Sequence, residues 1–224
     1  MAVTGGGTDA VDGGGTFDAV DAVVLAGGLA RRLEGADKPA LEVGGVTLLD
    51  RVLEACAEAR DVVCVGPRRP TRRTVRWTRE EPPGGGPAAA LHAGLEHAPD
   101  TPAPYVLLLA ADLPFLGAAL VHSLWTQAAG HDGAVLVDAD GREQWLAACY
   151  ARDVLEHRIA AQAAPGGAAG LSLRRLLAGL DLVRVPDPEG ESFDCDTWED
   201  VRHVRRLVDG GGGGVRPPGT GPER

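Results

Sequence analysis

The chain has 224 residues and a formal net charge of −10 at neutral pH, long enough for one well-buried α/β domain and too short for two of ordinary size. That acidity excludes a general nucleic-acid binder, which needs a basic surface to meet a phosphate backbone, whereas a basic pocket in an acidic chain suits a small anionic ligand. Cys56, Cys64, Cys149 and Cys195 form no C-x-x-C pair and sit in or beside apolar runs, so they read as reduced, small hydrophobic residues of a reducing compartment rather than as disulfides or zinc ligands.

Residues 1–18 and 209–224 are rich in Gly and Pro and poor in large apolar groups. Neither stretch can repay the entropy of ordering, so both are expected to be disordered tails around a single domain at 19–208. No charged and then apolar leader opens the chain and no apolar run reaches membrane-spanning length, so a soluble, cytoplasmic protein is expected.

Asp21 to Ala26 (DAVVLA) has the apolar, β-branched character of a buried strand, and Gly27-Gly28 stops it. Glycines permit positive φ and close approach, so a loop leaving a strand here can aim successive N–H groups at phosphate oxygens. Arg31, Arg32 and Lys38 follow at once and add positive charge, the guanidiniums as planar forks and the ammonium as a compact point. There is no G-x-x-x-x-G-K-[ST] and no G-x-G-x-x-G, which argues against a P-loop and against a dinucleotide-dependent oxidoreductase.

Thr47 to Ala59 carries one apolar helical face with Thr47 as N-cap, and Asp61 to Val65 reads as a second strand ended by Gly66-Pro67. The run Arg68, Arg69, Arg72, Arg73, Arg76 and Arg79 has no glycine loop or apolar anchor to frame it and reads as a solvated loop with an edge strand. Glu80 to Leu95 passes from a Pro/Gly loop into an Ala/Leu helix with Pro87 in its first turn. Tyr105 to Ala110 (YVLLLA) is the most continuous apolar strand and runs straight into Asp112. A carboxylate there has no partner in the run behind it and would be costly to bury without a cation, and the ends of such strands are where open α/β sheets place ligands.

Further on, a helix at 116–129, strands at 133–137 and 145–150 and helices at 151–164 and 172–178 are expected, then a last strand at 182–185. Thr197 with Asp200 approximates a capping box for a helix ending at Val208. Asp194 and Asp196 stand at alternate positions of the extended segment before it, so their carboxylates point the same way. His92, His97, His122, His131, His157 and His203 show no metal-ligand spacing. Alternating strands and helices with one glycine loop after the first strand give a doubly wound, mostly parallel, Rossmann-like sheet.

The stretch LAGGLARRLEGADKPAL resembles the signature loop of nucleotidyltransferases of the molybdenum cofactor guanylyltransferase type, through Leu25, Ala26, Gly27, Gly28, Arg32, Gly35, Asp37 and Lys38. EEPPGGGPAAALHAGL and FDCDTWED resemble two further stretches of that family. The resemblance covers residues 21 to about 207 and implies a nucleotide-diphospho-sugar transferase type of sheet. It implies that Leu25, Ala26, Gly27 and Gly28 contact the nucleotide, that Lys38 and Arg32 neutralise phosphate charge, and that Asp112 holds Mg²⁺. Glu81, or its neighbour Glu80, stands for an acidic nucleotide contact, and Asp196 is the candidate second metal ligand. The reaction implied is transfer of GMP from GTP to the molybdenum cofactor with release of pyrophosphate.

This sequence departs from the family at two places: Leu33-Glu34 stand where Met-Gly is usual, and Gly66 stands where guanine-using relatives commonly have asparagine. CTP is therefore the first competing donor. Gln144-Trp145 replaces a His-Pro or Gln-Pro pair on the acceptor side. A sugar-1-phosphate nucleotidylyltransferase would share the fold, but its glycine-to-lysine interval is longer and contains P-x-T. A non-catalytic nucleotide-binding docking module is the remaining alternative.

Overall fold

A computed structural model describes residues 20–28, 35–162 and 168–210. Among the described residues, strand β1 (Val20–Leu25) is followed by a 3-10 turn (Lys38–Ala40), the short strands β2 (Glu42–Val43) and β3 (Val46–Thr47), and helix α1 (Leu48–Ala55). Then come β4 (Val62–Val65), β5 (Arg76–Thr78), α2 (Pro87–Glu96), β6 (Tyr105–Ala110), α3 (Ala118–Ala128), β7 (Gly133–Val137) and β8 (Glu143–Ala151). The chain closes with α4 (Arg152–Gln162), α5 (Leu173–Leu177), β9 (Leu182–Pro186) and α6 (Trp198–Asp209).

Seven strands form one sheet in the order β5-β4-β1-β6-β8-β7-β9. Strands β4 and β6 flank β1 in parallel, β5 is parallel to β4, and β9 is parallel to β7; only β8 runs antiparallel to both neighbours. The expected doubly wound, mostly parallel sheet is therefore what forms. Both faces are covered, which explains why β6, and β1 beyond Asp21, read as continuous apolar runs rather than alternating ones. Val24, Leu107 and Leu109 pack with Leu49, Leu53 and Leu124 of α1 and α3 on one face. On the other, Val23, Val106 and Leu108 pack with Leu91, Leu155 and Leu176 of α2, α4 and α5.

The caps fall where the residue types indicate. Thr47 accepts from the Asp50 amide, Ser172 from the Arg175 amide, and Thr197 with Asp200 completes a capping box. The edge strand in the arginine run is β5. The β2–β3 hairpin, which turns at Gly44-Gly45, is not anticipated by sequence because strands of two residues carry no periodicity. Likewise β8 begins at Glu143, and its register against β7 jumps from Val135↔Ala148 to Leu136↔Gln144, a bulge that alternation alone does not reveal. At the amino end of β1, Asp21 is buried against Arg152, with Nη2 to Oδ2 at 2.9 Å, and accepts from the Ala103 amide at 2.8 Å. These partners are distant in sequence, so only the fold shows them.

Helix α2 rides close on the sheet at Gly94, where a Cβ would stand 2.6 Å from Val23 Cγ1 and 3.2 Å from Val65 Cγ2. Gly94→Ala is expected to destabilise the fold by about 1–3 kcal/mol through overpacking, read as a lower denaturant midpoint at unchanged slope. An unaltered midpoint would show that α2 has room to lift.

Candidate active site

The carboxyl ends of β1, β4 and β6 lie side by side, since the Ala26 amide donates to Val65 O at 2.8 Å and the Ala111 amide to Leu25 O at 3.1 Å. The glycine loop therefore emerges beside Asp112. Gly28 has φ +139°, a conformation L side chains rarely adopt. Arg31 and Arg32 lie outside the described residues.

The 3-10 turn at Lys38–Ala40 places Lys38 beside Asp112, just past the carboxyl end of β6. Its ammonium forms an ion pair with Asp112 and stands 2.8 Å from Asp196 Oδ1. The Lys38 side chain is only 13% exposed and that of Asp112 18%. Burial works against the charge on Lys38, but Asp112 and Asp196 outweigh it and hold its pKa above the usual lysine value. Leu25 to Gly28, Lys38, Asp112 and Asp196, all singled out in the sequence, are thus brought to one place.

Asp196 arrives through the segment before α6. The Cys195 amide donates to Asp112 O at 3.2 Å, and the Cys195 side chain is buried, so alternation sends Asp194 and Asp196 outward on either side of it. Asp112, Asp194 and Asp196 each offer an oxygen within 4.8 Å of the others. Burial, followed by the charges of Asp196 and Asp112, raises the Asp194 pKa above the ordinary carboxylate value. The segment is itself braced: Asp187 accepts from the Glu191 and Ser192 amides, and Glu191 accepts from the Gly117 amide at the start of α3. Asp194 carries the same alternation signal in the sequence as Asp196 and belongs in the cluster.

Three carboxylates around a cation can be neutralised by a divalent ion, and all three donors are the hard oxygens that Mg²⁺ prefers. The cysteines do not take part in such chemistry. Burial pushes Cys56 up to about 11, and Cys64 and Cys195 each up to about 12, so their thiols stay protonated and behave as small apolar groups.

Glu81 lies elsewhere. It lines a hollow of about 490 Å³ with Thr78, Arg79, Ala89 and His92, while Glu80 Oε1 accepts from the Gly84 amide at 3.0 Å and shapes the Pro/Gly loop. The arginine run is mostly exposed, as expected of a solvated loop with an edge strand, but several of its side chains are tied to the scaffold. Arg73 donates to the Cys56 and Ala59 carbonyls just beyond α1, Arg72 to Gly45 O, and Arg76 to Asp61. Sequence reasoning missed these ties because each partner lies at least fourteen residues away.

Relatives of the chain point the same way. A probable molybdenum cofactor guanylyltransferase of Mycolicibacterium paratuberculosis is 36% identical over 193 residues, spanning 83% of this chain and 94% of that protein. One of Mycobacterium avium is 35% identical over the same shares. Among solved structures, molybdopterin-guanine dinucleotide biosynthesis protein A of Archaeoglobus fulgidus superposes with a TM-score of 0.62 at 24% identity, over 85% of this chain and 99% of that one. The 2-C-methyl-D-erythritol 4-phosphate cytidylyltransferase of Thermus thermophilus gives 0.65 at 21%, over 85% and 98%; at such identities both speak for the fold alone. The model of the MobA-like NTP transferase domain matches residues 22–184, and the chain belongs to that family of nucleotidyltransferases.

Proposed function

We propose that this protein transfers GMP from GTP to the molybdenum cofactor, releasing pyrophosphate, with Mg²⁺ held by Asp112 and by Asp196 or Asp194. The observation that carries the reading is the meeting of Lys38 with Asp112 and Asp196 at the mouth of the glycine loop. Relatives named as guanylyltransferases of this cofactor support the choice of donor and acceptor.

In this reading the nucleotide lies across the main chain of Leu25 to Gly28, and Lys38 with Arg32 neutralises its phosphates. When bound, Mg²⁺ supplies positive charge to the phosphate oxygens. A phosphate oxygen of the acceptor attacks the α-phosphorus in line. The bond from that phosphorus to the oxygen bridging toward the β-phosphate breaks, and pyrophosphate leaves with the electron pair. An acceptor phosphate already ionised needs no general base, so the chain's work is positioning and charge neutralisation. Glu81, or its neighbour Glu80, is the acidic nucleotide contact that the family resemblance suggests, although Glu81 lines a hollow beside α2 and not the carboxylate cluster. Gly66 offers no side chain to read a base, which keeps CTP as the second donor.

Pyrophosphate formed from each of four nucleoside triphosphates, with and without molybdenum cofactor and Mg²⁺, tests the proposal; GTP with cofactor is expected to react and the rest to lag. Turnover with CTP alone would reassign the donor, and no pyrophosphate from any of them would leave a nucleotide-binding docking module. Asp112→Ala is expected to keep its fold and lose on the order of 10³-fold in turnover; a fully active variant would remove Asp112 from the metal site. Lys38→Ala is expected to weaken GTP by roughly 1.5–3 kcal/mol and GMP by less, in equilibrium titrations, whereas equal losses would mean no β- or γ-phosphate contact.

Asp194 gives a test by charge. Because its pKa is raised on folding, its ionised form costs stability above that pKa, and the cost fades as pH falls through it. Asp194→Asn is therefore expected to raise the Tm of the metal-free protein at neutral pH while weakening Mg²⁺ binding. A lower Tm would mean that the carboxylate is stabilising as it stands.

A further inference from the structure

We propose that Arg69 is a positioning residue that clasps the phosphate-binding segment at its base and so fixes the glycine-loop amides relative to Lys38. The inference rests on the nucleotide reading given above for that segment. Arg69 lies in the β4–β5 connection, with its side chain 11% exposed. Nε lies 2.8 Å from each carboxylate oxygen of Asp37, and Nη2 stands 2.6 Å from Oδ1. Nη1 donates to Ala26 O at 2.9 Å and to Pro67 O at 2.7 Å. Ala26 follows β1 directly and Asp37 directly precedes Lys38, so a single guanidinium holds both ends of the segment that begins at the glycine loop and ends at the lysine.

Asp37 is the N-cap of the 3-10 turn, yet its side chain makes no capping bond. Its carboxylate serves Arg69 instead. A guanidinium presents its donors in a rigid planar fork, so what it binds on two sides is held at set distance and angle, which a lysine ammonium cannot do. The backbone beside Arg69 adds to this brace. Gly66 has φ +147°, and a Cβ there would stand 2.6 Å from the carbonyl carbon and oxygen of Ala26, so the β4 loop lies against the start of the cradle with no side chain between them.

The other tied arginines of the run do something different. Arg73 satisfies carbonyls past the end of α1 and Arg76 pairs with Asp61; those contacts stitch the scaffold. The contact of Arg69 with Ala26 and Asp37 has a consequence for binding. With Ala26 and Asp37 tied to one guanidinium, the glycine main chain after Ala26 and the ammonium of Lys38 keep the spacing that the phosphates require.

The test compares Arg69→Lys and Arg69→Gln with Arg72→Lys, a matched change at an arginine 57% exposed. Amide hydrogen exchange is followed without nucleotide, and GTP affinity is measured with Mg²⁺. Both Arg69 variants are expected to exchange about tenfold faster at residues 26–28 and 35–41 with β6 unchanged, and to bind GTP some 10- to 100-fold more weakly. Arg72→Lys is expected to match wild type in both. Because Arg69 acts through Asp37, the pair Arg69→Lys with Asp37→Asn is expected to lose no more than the worse single variant.

Unchanged exchange at 26–28 and 35–41, wild-type GTP binding by Arg69→Lys, or losses that multiply in the double variant would each overturn the proposal. So would faster exchange throughout the sheet, which would make Arg69 an ordinary structural tie. If wild type itself binds neither GTP nor CTP with Mg²⁺, the nucleotide reading fails, and the exchange result still decides whether Arg69 clasps the segment.

Discussion

The ammonium of Lys38, largely withdrawn from water and set between Asp112 and Asp196, is the interaction on which the rest of the structure turns. Burial disfavours the charge of an ammonium in that setting and the carboxylates beside it restore it, while carboxylates crowded as closely as Asp112, Asp194 and Asp196 would repel one another without a cation. Each half of the arrangement makes the other tenable. The three contributing stretches come from the start, the middle and the end of the domain. The sheet order that puts β1 next to β6, together with the Cys195 amide bond to Asp112 O, brings them together.

That cluster lies at the carboxyl edge of the parallel half of the sheet, beside a backbone loop able to offer amides. A polyphosphate carries the charge such a place can accommodate, and a divalent cation is the natural companion to both the phosphates and the surplus carboxylates. The apolar work is done elsewhere. Two buried layers on the faces of β1 and β6 hold the strand ends in register, and a smaller cluster around Val43, Leu48 and Val201 anchors the β2–β3 hairpin and α6. A rigid platform of this kind lets the ligand-facing groups be polar without weakening the core.

Much of this is legible in the sequence where the physics is local. Apolar runs mark β1 and β6, Thr47, Ser172 and Thr197 announce helix starts, and the alternation Asp194-Cys195-Asp196 sends two carboxylates to the outer face while the thiol between them points inward. The glycine loop with Lys38 is recognisable from spacing and family likeness together. What escapes depends on partners far apart in the chain. Arg69 belongs to a run that charge patterning assigns to solvent, and nothing near it in sequence points to Asp37 or the Ala26 carbonyl. The Asp21–Arg152 pair is hidden for the same reason, and the bulge in β8 leaves no trace in composition. Arg32, central to the family resemblance, falls outside the described residues.

On the proposed reading, the glycine main chain, one lysine and a cluster of carboxylates receive a single metal-bound triphosphate. A crystal structure with Mn²⁺ in place of Mg²⁺ and a non-hydrolysable GTP analogue, with the metal located by anomalous scattering, tests it most directly. Manganese is expected to be coordinated by Asp112 and by Asp194 or Asp196, with phosphates against the Leu25 to Gly28 main chain and Lys38 turned from the carboxylates onto a phosphate oxygen. Manganese away from Asp112, or a nucleotide bound with its phosphates out of reach of Lys38, would contradict it.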